Sequence, residues 1–507
     1  MTNPTGLTSG RLLARNALLN VIGEASPFLV AIVAVPLVIH AVGVDRYGVL
    51  TLVMITIGYF GLFDFGLGSA ATKFIAAAAA SSDHADVAGF FWTSLVLMFG
   101  FGVGGAIVVA ALTPWLVDHV LKIAPMLRDE SLHGFYLTAL VLPFVISGAS
   151  LNATLSAFQR FDLINAVRIP IGIIYYVGPL VVLPFSHSLG WLIAATALIR
   201  LISWAANFAL CLHILPGLLH QFGPRRALIG RMMSFGGWVT ISGVLLPIME
   251  YADRFIIGAM LSVATVAYYA VPYQVTNKLR VIPGALAAVV FPALSGSWVT
   301  SPQRAAILFE RATRYVILAL FPPVLLIVTL APEALTLWLG PSFAVQSASV
   351  MRWLALAVFV NSLGLTPFVL LPAAHRPDLA AKLNLAEIPG FLLLLWWMLT
   401  RYGVAGAAAA YFVRLCADTI VLFVMALRVS PGLAPGVIRI AIIACVAVLV
   451  LIAGSAPMSL ATKGAFLTTT LGLYALLGWT VLLEPQEREF VWGSLRIARV
   501  GVAGSSE

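Results

Sequence analysis

Charged side chains are scarce in this sequence, and their scarcity excludes a water-soluble protein. Only 10% of the 507 residues are charged, 61% are hydrophobic, and the mean hydropathy is +1.03. A soluble chain must cover its surface with polar groups, which this composition cannot supply. The sequence therefore predicts a multi-pass membrane protein. Its net charge of +9 indicates basic loops rather than a nucleic-acid partner.

Cysteines and catalytic motifs are also rare. The three cysteines lie in or beside apolar segments without a CxxC pair, so free thiols are expected. The sequence has no glycine-rich nucleotide loop, no HExxH zinc motif and no metal-ligand cluster. It also lacks the large outer loop that a polysaccharide polymerase or a membrane glycosyltransferase would use. The expectation is a protein that is not an enzyme and has no resident metal or cofactor.

Long apolar runs are abundant, and fourteen of them are long enough to cross a bilayer. A spanning helix needs about 20 apolar residues, whereas a barrel strand would show about 10 alternating ones. The predicted fold class is therefore all-α integral membrane. The predicted spans are 16–39, 47–77, 86–113, 133–158, 163–185, 188–213, 230–260, 263–297, 305–330, 344–373, 377–399, 402–428, 434–454 and 464–484.

The distribution of Lys and Arg predicts the orientation. With a cytoplasmic N-terminus, 18 of the 29 Lys and Arg residues fall on the cytoplasmic side and five on the outer side. An excess of basic residues in cytoplasmic loops is typical of membrane proteins. Both termini are therefore predicted to be cytoplasmic. The remaining six basic residues lie at membrane depth: Arg200, Arg254, Lys278, Arg280, Arg352 and Arg414.

The two halves of the chain are faintly alike. Residues 33–52 and 250–271 each contain an apolar helix end, a short outer turn and an aromatic residue opening the next helix. Internal duplication is common in transporters, although any two Val, Ile and Ala-rich helix pairs look alike. The predicted domains are 1–215, a cytoplasmic connection at 216–229, 230–430, two further helices at 431–485, and a cytoplasmic tail at 486–507.

An ordered set of short motifs resembles one known family. Asn16, the turn Gly43 to Gly48, the run FDFGLG at 63–68 and Lys73 stand in the first two helices. They are followed by DRFIIG at 253–258, AYY at 267–269, FPALS at 291–295 and YGVAGA at 402–407. Together they resemble the polysaccharide-exporter flippases, the Wzx-type O-antigen and exopolysaccharide translocases of the MOP superfamily. The resemblance runs from about residue 12 to residue 430.

This resemblance implies both a fold and a function. The implied fold has two six-helix bundles around a central cavity, plus two C-terminal helices. The implied function is translocation of undecaprenyl-pyrophosphate-linked oligosaccharide from the inner to the outer leaflet of the bacterial cytoplasmic (inner) membrane, by alternating access. The expected partners are this glycan and membrane lipids, with a polysaccharide polymerase and a chain-length regulator as further options.

Four of the membrane-depth cations are the predicted substrate-binding residues: Arg200, Lys278, Arg280 and Arg414. A charge at the bilayer centre costs about 2.5–3.5 kcal/mol, so these side chains are expected to face a cavity, a partner or the interface. Arg offers a bidentate fork and Lys a point charge to a pyrophosphate headgroup. The alternative is pairing with carboxylates, for example Arg414 with Asp418.

Four acidic residues are the candidates for ion coupling or gating: Glu24, Asp64, Glu250 and Asp253. Glu250 and Arg254 are four residues apart and so share one helix face, with Asp253 beside them. This group either neutralises itself and fixes the helix end, or binds a coupling cation or gates the outer mouth. Glu24 and Asp64 could each bind H⁺ or Na⁺, or could be buried, hydrogen-bonded acids.

Two other functions remain open from the sequence. The first is a MATE-like cation-coupled exporter of small amphiphiles. Two features count against it: the two extra helices, and membrane-depth residues that are basic rather than acidic. The second is a membrane glycan transferase or polymerase. The sequence does not indicate which glycan would be moved or which ion, if any, would be coupled.

Overall fold

The computed structural model describes residues 27–61, 66–80, 84–374 and 376–482, and all regular structure in these ranges is helical. The helices as far as the middle of the chain are α1 (Pro27–Val42), α2 (Val44–Gly61), α3 (Leu67–Ala80), α4 (His84–Trp115), α5 (Arg128–Ala157), α6 (Phe161–Val182), α7 (Leu189–Ile214) and α8 (Arg226–Met260). The later helices are α9 (Val263–Asn277), α10 (Val281–Thr300), α11 (Pro302–Leu339), α12 (Pro341–Leu363), α13 (Leu365–Ala373), α14 (Pro377–Val429), α15 (Ala434–Gly454) and α16 (Leu460–Leu477).

The predicted all-α membrane fold is confirmed. Within the described ranges, nine helices are long and apolar enough to cross a membrane. One of them, α14, contains 53 residues and covers two predicted spans. Its interior Gly403 has non-helical angles (φ 60°, ψ −147°), so the helix consists of two parts joined at a kink. The predicted number of fourteen spans stays a prediction.

Several predicted spans are not continuous α-helices, and the one predicted at 344–373, for example, is divided into α12 and α13 at Gly364. The span predicted at 47–77 is described as α2 and α3, and Gly66 before α3 has a positive φ of 64°. Glycine reaches this left-handed region without the steric penalty that a Cβ atom would add. The span predicted at 263–297 is divided into α9 and α10 by a 3₁₀ turn, Lys278–Arg280.

The chain divides into two compact units. Unit 1 contains the described residues up to Val271 together with Asn384–Ala407, and unit 2 contains Pro272–Leu383 and the residues from Ala408 onward. The boundaries therefore fall inside α9 and α14. The predicted domain division at 215 and 430 stays a prediction.

In unit 1, a carboxylate organises the predicted outer helix ends. Glu130, in the first turn of α5, accepts two hydrogen bonds of 3.1 Å from Arg46. One of its oxygens also accepts a hydrogen bond of 3.0 Å from the backbone N–H of Leu189, at the start of α7. A negative charge at a helix N-terminus is favourable because the free N–H groups point toward it. Glu130 thereby joins α2, α5 and α7.

The segment that links α7 to α8 is docked on the start of α4. Trp92 donates its indole N–H to the carbonyl of Leu218 at 3.0 Å. The backbone N–H of Arg225 donates to the Thr93 hydroxyl at 2.9 Å, and its guanidinium pairs with Asp86 at 2.7 Å. The segment predicted as the cytoplasmic connection is therefore held to unit 1 by specific hydrogen bonds.

The turn between α8 and α9 is held within unit 1 by backbone contacts. The N–H of Lys122 donates to the carbonyl of Gly258 at 3.0 Å, and the Lys122 ammonium donates to the carbonyl of Met260 at 2.5 Å. On the other side, α2 approaches so closely that a Cβ atom at Gly48 would lie 2.1 Å from the carbonyl oxygen of Val263. Only glycine fits this approach.

Unit 2 has its main apolar core around α11 and α12, with α15 and α16 packed against it. Val324, Leu325 and Phe359 in this core are fully buried. The buried Lys463, in α16, pairs with Glu333 of α11 at 2.8 Å. The Tyr474 hydroxyl also donates to the carbonyl of Leu318. The last two described helices are therefore attached to unit 2 by polar contacts as well as by apolar packing.

Candidate functional site

A polar pocket lies inside unit 1, between α5, α6 and α7. Its volume is about 430 Å³, and we call it the Arg200 pocket. Arg200 is the twelfth of the 26 residues of α7, so it lies near the middle of this span. The polar residues of the wall are Asn152, Arg168, Tyr175, Tyr176, Arg200, Ser203 and Asn207.

Aromatic rings hold the Arg200 guanidinium in place. Its central carbon lies 4.8 Å from the centre of the Tyr175 ring, which is a cation–π distance. Tyr176 meets Tyr175 edge to face, with ring centres 5.7 Å apart. Within the described ranges, the contact that orients the guanidinium is therefore with an aromatic ring. Among the described residues, its buried Nε has no hydrogen-bond partner.

Asn207 continues the polar face of the pocket along α7. Its side chain is buried, with 6% exposed. The amide nitrogen donates to the Ser203 carbonyl at 2.9 Å, but Oδ1 is buried and finds no donor in the part of the chain that the structure describes. Arg200, Ser203 and Asn207 are spaced by three and four residues and so lie on one helix face.

In unit 2, the 3₁₀ turn at Lys278–Arg280 presents two of the predicted cations. Lys278 and Arg280 are exposed, whereas Leu279 between them packs against the main apolar core. Arg280 donates to the side-chain oxygen of Asn361 at 2.7 Å and to that of Asn277 at 3.4 Å. A 3₁₀ segment within a helical run often marks a functional hinge or a sequence under strain.

Arg414 belongs to the second part of α14, also in unit 2. Tyr411, one turn earlier, contacts Tyr273 of α9 with ring centres 6.0 Å apart. Arg414 therefore lies within one turn of a contact to α9, the helix that ends at Asn277, immediately before Lys278. Asp418, the predicted alternative partner of Arg414, is buried at 9% exposure.

A buried charged cluster lies near the end of α8 in unit 1. Asp253, Arg254 and Tyr269 have exposures of 0%, 1% and 0%. One oxygen of Asp253 accepts hydrogen bonds from the backbone N–H and the guanidinium of Arg254 at 2.8 and 2.9 Å. The other oxygen accepts from the Tyr269 hydroxyl at 2.5 Å. Both carboxylate oxygens thus have donors, an arrangement that suits a structural anchor.

The other three predicted coupling residues are not described to the same depth. Glu24 and Asp64 lie outside the described residues, and Glu250 is described through its backbone alone. The predicted coupling or gating role of all four acids, Asp253 included, stays a prediction. Among the described residues, no group of three or more His, Cys, Asp or Glu side chains is arranged to hold a metal ion.

The structure adds residues to the site that the sequence analysis missed. Arg168 is one of the 18 basic residues predicted on the cytoplasmic side, and it lines the Arg200 pocket from α6. Asn207 stands seven residues after Arg200 in a mostly apolar helix, and this spacing is a readable signal. Asn152, from α5, carries no such signal, because no sequence spacing relates it to the other two helices.

Comparisons with known proteins agree with this architecture. A family model described as a polysaccharide biosynthesis protein matches residues 42–348. A Shigella flexneri protein named as a candidate O-antigen transporter is 26% identical over 415 residues, which cover 81% of this chain and 96% of that protein.

Solved structures show the same fold at low identity. An inward-facing multidrug-resistance MATE-family transporter of the MOP superfamily has a TM-score of 0.69 and 13% identity, covering 84% of this chain and 98% of its own. A MOP superfamily transporter from Pyrococcus furiosus, described as having a binding pocket of reverse polarity, has a TM-score of 0.60 and 14% identity, covering 85% and 98%. The chain therefore has a MOP-type transporter fold.

Proposed function

The chain belongs to the family of polysaccharide biosynthesis proteins, and from this premise we propose that it is a lipid-linked oligosaccharide flippase. It moves undecaprenyl-pyrophosphate-linked oligosaccharide from the inner to the outer leaflet of the bacterial cytoplasmic membrane by alternating access. The MOP-type transporter fold and the likeness to a candidate O-antigen transporter support this proposal. A protein of this function moves its substrate without changing its bonds, so it is not an enzyme.

The observation that carries the proposal is the basic turn at Lys278–Arg280. It separates α9 from α10 inside one predicted span and leaves both cations exposed. At the membrane depth predicted for them, a charge facing lipid costs about 2.5–3.5 kcal/mol. Interrupted helices carry the substrate and ion sites of many transporters. A pyrophosphate group is the anion that such a pair suits, since Arg binds it through a fork and Lys through a point charge.

Arg200 in unit 1 and Arg414 in unit 2 are the other two residues proposed to bind the anionic headgroup. Arg200 is oriented by Tyr175 within its pocket, and Arg414 lies one turn from the contact between Tyr411 and Tyr273. In this proposal each of the four cations contacts an anionic part of the substrate during transport.

The remaining parts of the proposal concern the energy source and the setting. Coupling to H⁺ or Na⁺ through Glu24, Asp64, Glu250 or Asp253 is proposed as the energy source. Both termini are proposed to face the cytoplasm, and a polysaccharide polymerase with a chain-length regulator would use the flipped glycan.

The test is complementation of a deletion strain. Lipid-linked oligosaccharide is measured in each leaflet, together with surface glycan, at normal expression. The wild-type gene should restore both, whereas a Lys278→Gln/Arg280→Gln variant should leave intermediates in the inner leaflet. Arg401→Gln, which neutralises an exposed cation at the turn inside α14, is the matched control and should behave as wild type.

Two results would contradict the proposal. If intermediates reach the outer leaflet normally in the deletion strain, the chain is not the flippase for that glycan, and efflux assays for the MATE-like alternative follow. If the double variant exports glycan as the wild type does, the basic turn does not bind the headgroup.

A further inference from the structure

Arg352, in α12 of unit 2, is the one basic residue at predicted membrane depth that has no role so far. Four others are proposed to bind the headgroup, and Arg254 pairs with Asp253. The Nε–H of Arg352 donates to the carbonyl of Val328, in α11, at 3.1 Å. In a regular α-helix this carbonyl would accept the N–H of the residue four positions later, but Pro332 stands there and has no N–H. Arg352 therefore fills the gap that the proline leaves, and this bond fixes its guanidinium.

The rest of the guanidinium is still available. A guanidinium has five N–H groups, and the bond to Val328 uses one of them. Glu333 lies close enough to attract Arg352, but both of its carboxylate oxygens already accept from the Lys463 ammonium, at 2.8 and 3.0 Å. Among the described residues, Arg352 itself has no ion pair within bonding distance. Two cations thus share one carboxylate, and the three side chains together carry a net charge of +1.

The pair of Glu333 and Lys463 marks the predicted outer boundary of the membrane. The span predicted at 305–330 ends three residues before Glu333, and the span predicted at 464–484 begins directly after Lys463. Lys463 is buried at 3% exposure, whereas the Glu333 side chain is 40% exposed. The charged cluster therefore belongs to the level at which lipid headgroups meet hydrocarbon.

Arg352 reaches this level from slightly deeper in the membrane. Its contact with Val328 lies five residues, or about 7.5 Å along the helix, below Glu333. Side chains on a helix lean toward its N-terminus, and α12 begins at this same end, directly after the turn at Gly340. The side chain of Arg352 therefore leans toward the headgroup level, where a long basic side chain is stable.

Arg352 does not share the face of α12 that carries the basic turn's contact. Asn361, which accepts from Arg280, is nine residues, or two and a half turns, further along the helix and so lies on the opposite face. Between Arg352 and the outer end of α12, its own face carries exposed polar residues at spacings of three and four: Ser342, Gln346 and Ser349. This polar stripe leads from the outer turn down to Arg352.

These features fit the headgroup of a lipid. A phosphodiester has a single negative charge, which balances the +1 of the cluster, and its oxygens match the guanidinium fork. The polar stripe suits a headgroup that carries hydroxyl groups. Deeper in the membrane, Leu326 lies seven residues before Glu333 on the same face of α11 and is 41% exposed, so apolar surface continues below the charges. A soluble anion would make no use of that surface.

We propose that the outer ends of α11, α12 and α16 bind an anionic phospholipid, with Arg352 on its phosphate and the polar stripe on its headgroup. The lipid is a bilayer component such as phosphatidylglycerol, distinct from the transported substrate. This site does not depend on the proposed function. It would fasten the turn between α11 and α12, and the start of α16, to the predicted outer leaflet.

The test is calorimetric titration of the delipidated full-length protein in micelles of an uncharged detergent. The probes are dioctanoyl-phosphatidylglycerol, dioctanoylglycerol, which lacks the phosphate, glycerol 3-phosphate, which lacks the chains, and inorganic pyrophosphate. We expect dioctanoyl-phosphatidylglycerol to bind at least tenfold more tightly than either dioctanoylglycerol or glycerol 3-phosphate.

Two variants separate lipid binding from helix repair. Arg352→Gln should weaken binding of dioctanoyl-phosphatidylglycerol at least tenfold and should also lower the melting temperature, because the Val328 carbonyl loses its donor. Pro332→Ala/Arg352→Gln supplies a backbone N–H for that carbonyl, so it should recover melting temperature relative to Arg352→Gln without recovering lipid affinity. Arg401→Gln, which neutralises an exposed cation in unit 1, is the control and should bind the lipid as the wild type does.

Four results would overturn this inference. The first is equal affinity for dioctanoyl-phosphatidylglycerol and dioctanoylglycerol, and the second is unchanged lipid affinity in Arg352→Gln. The third is recovery of lipid affinity in the double variant, since Arg352 would then act through stability alone. The fourth is that glycerol 3-phosphate or pyrophosphate binds as tightly as the lipid and loses its affinity in Arg352→Gln, because the site would then take a soluble phosphate or the substrate. None of these results bears on the proposed function, which the variants at Lys278 and Arg280 test.

Discussion

Neutralising Asp253 should destabilise unit 1 by several kcal/mol. In the Asp253→Asn variant, Arg254, whose exposure is only 1%, loses the buried negative charge of Asp253. Removing one partner of a buried ion pair costs about 3–5 kcal/mol, because the other charge stays buried without compensation. The free energy of unfolding of a typical domain is only about 5–15 kcal/mol. The variant should therefore lose a large part of its stability.

Smaller changes at the same cluster divide this loss into parts. Tyr269→Phe removes only the 2.5 Å hydrogen bond to Asp253, and a hydrogen bond to a charged group contributes about 1.5–3 kcal/mol. Replacing both Asp253 and Arg254 by leucine removes the charges together, and such double replacements of buried pairs are often neutral or stabilising. The double variant should therefore be more stable than Asp253→Asn.

The assay is reversible unfolding of the purified protein in mixed micelles, followed by tryptophan fluorescence. Asp118→Asn is the control, because its partner Arg128 is half exposed and the change should have little effect. A loss below about 1 kcal/mol for Asp253→Asn, which is the size of an ordinary substitution effect, would refute this reasoning. Normal stability combined with lost glycan export would instead favour the coupling or gating role.

Two further predictions concern helix contacts within single units. Gly48→Ala should lower the unfolding free energy by about 1–3 kcal/mol in the same assay, because the added Cβ atom overpacks against the backbone of Val263. Gly58→Ala on the same helix is the control and should be tolerated, because a Cβ atom there has no neighbour within 4 Å. Glu333→Gln should lower the melting temperature more than Lys463→Met does. The Glu333 variant leaves the buried Lys463 ammonium without its partner, whereas the Lys463 variant leaves a carboxylate whose side chain is 40% exposed. Equal effects in a thermal melt would contradict this prediction.

The membrane fold could be predicted because it depends on composition and run length alone. Apolar segments of about 20 residues form helices in a bilayer, since a lipid-facing backbone must satisfy its own hydrogen bonds. The same count predicts membrane depth for Lys278 and Arg280. It does not predict the 3₁₀ turn that carries them, because Pro283, the nearest helix-breaking signal, lies beyond it in α10.

The partners of the charged residues were harder to predict, because they depend on which helices pack together. The four-residue spacing predicts that Glu250 shares a face with Arg254, and this stays a prediction because the Glu250 side chain lies outside the described part of the chain. The structure shows that Arg254 pairs with the adjacent Asp253. Tyr269, from the next helix, completes that cluster, and no local rule connects it to Asp253. Likewise, Arg168 joins the Arg200 pocket only because α6 packs on α7.

The division into units has a consequence for how the protein is made. Unit 1 needs Asn384–Ala407, although the whole of Pro272–Leu383 precedes that segment in the chain and belongs to unit 2. A ribosome delivers residues in order, so unit 1 cannot be completed until Ala407 has emerged. The helices up to Val271 are therefore synthesised before this last part of unit 1, with much of unit 2 between them. A chain truncated before Asn384 would lack the Asn384–Ala407 part of unit 1.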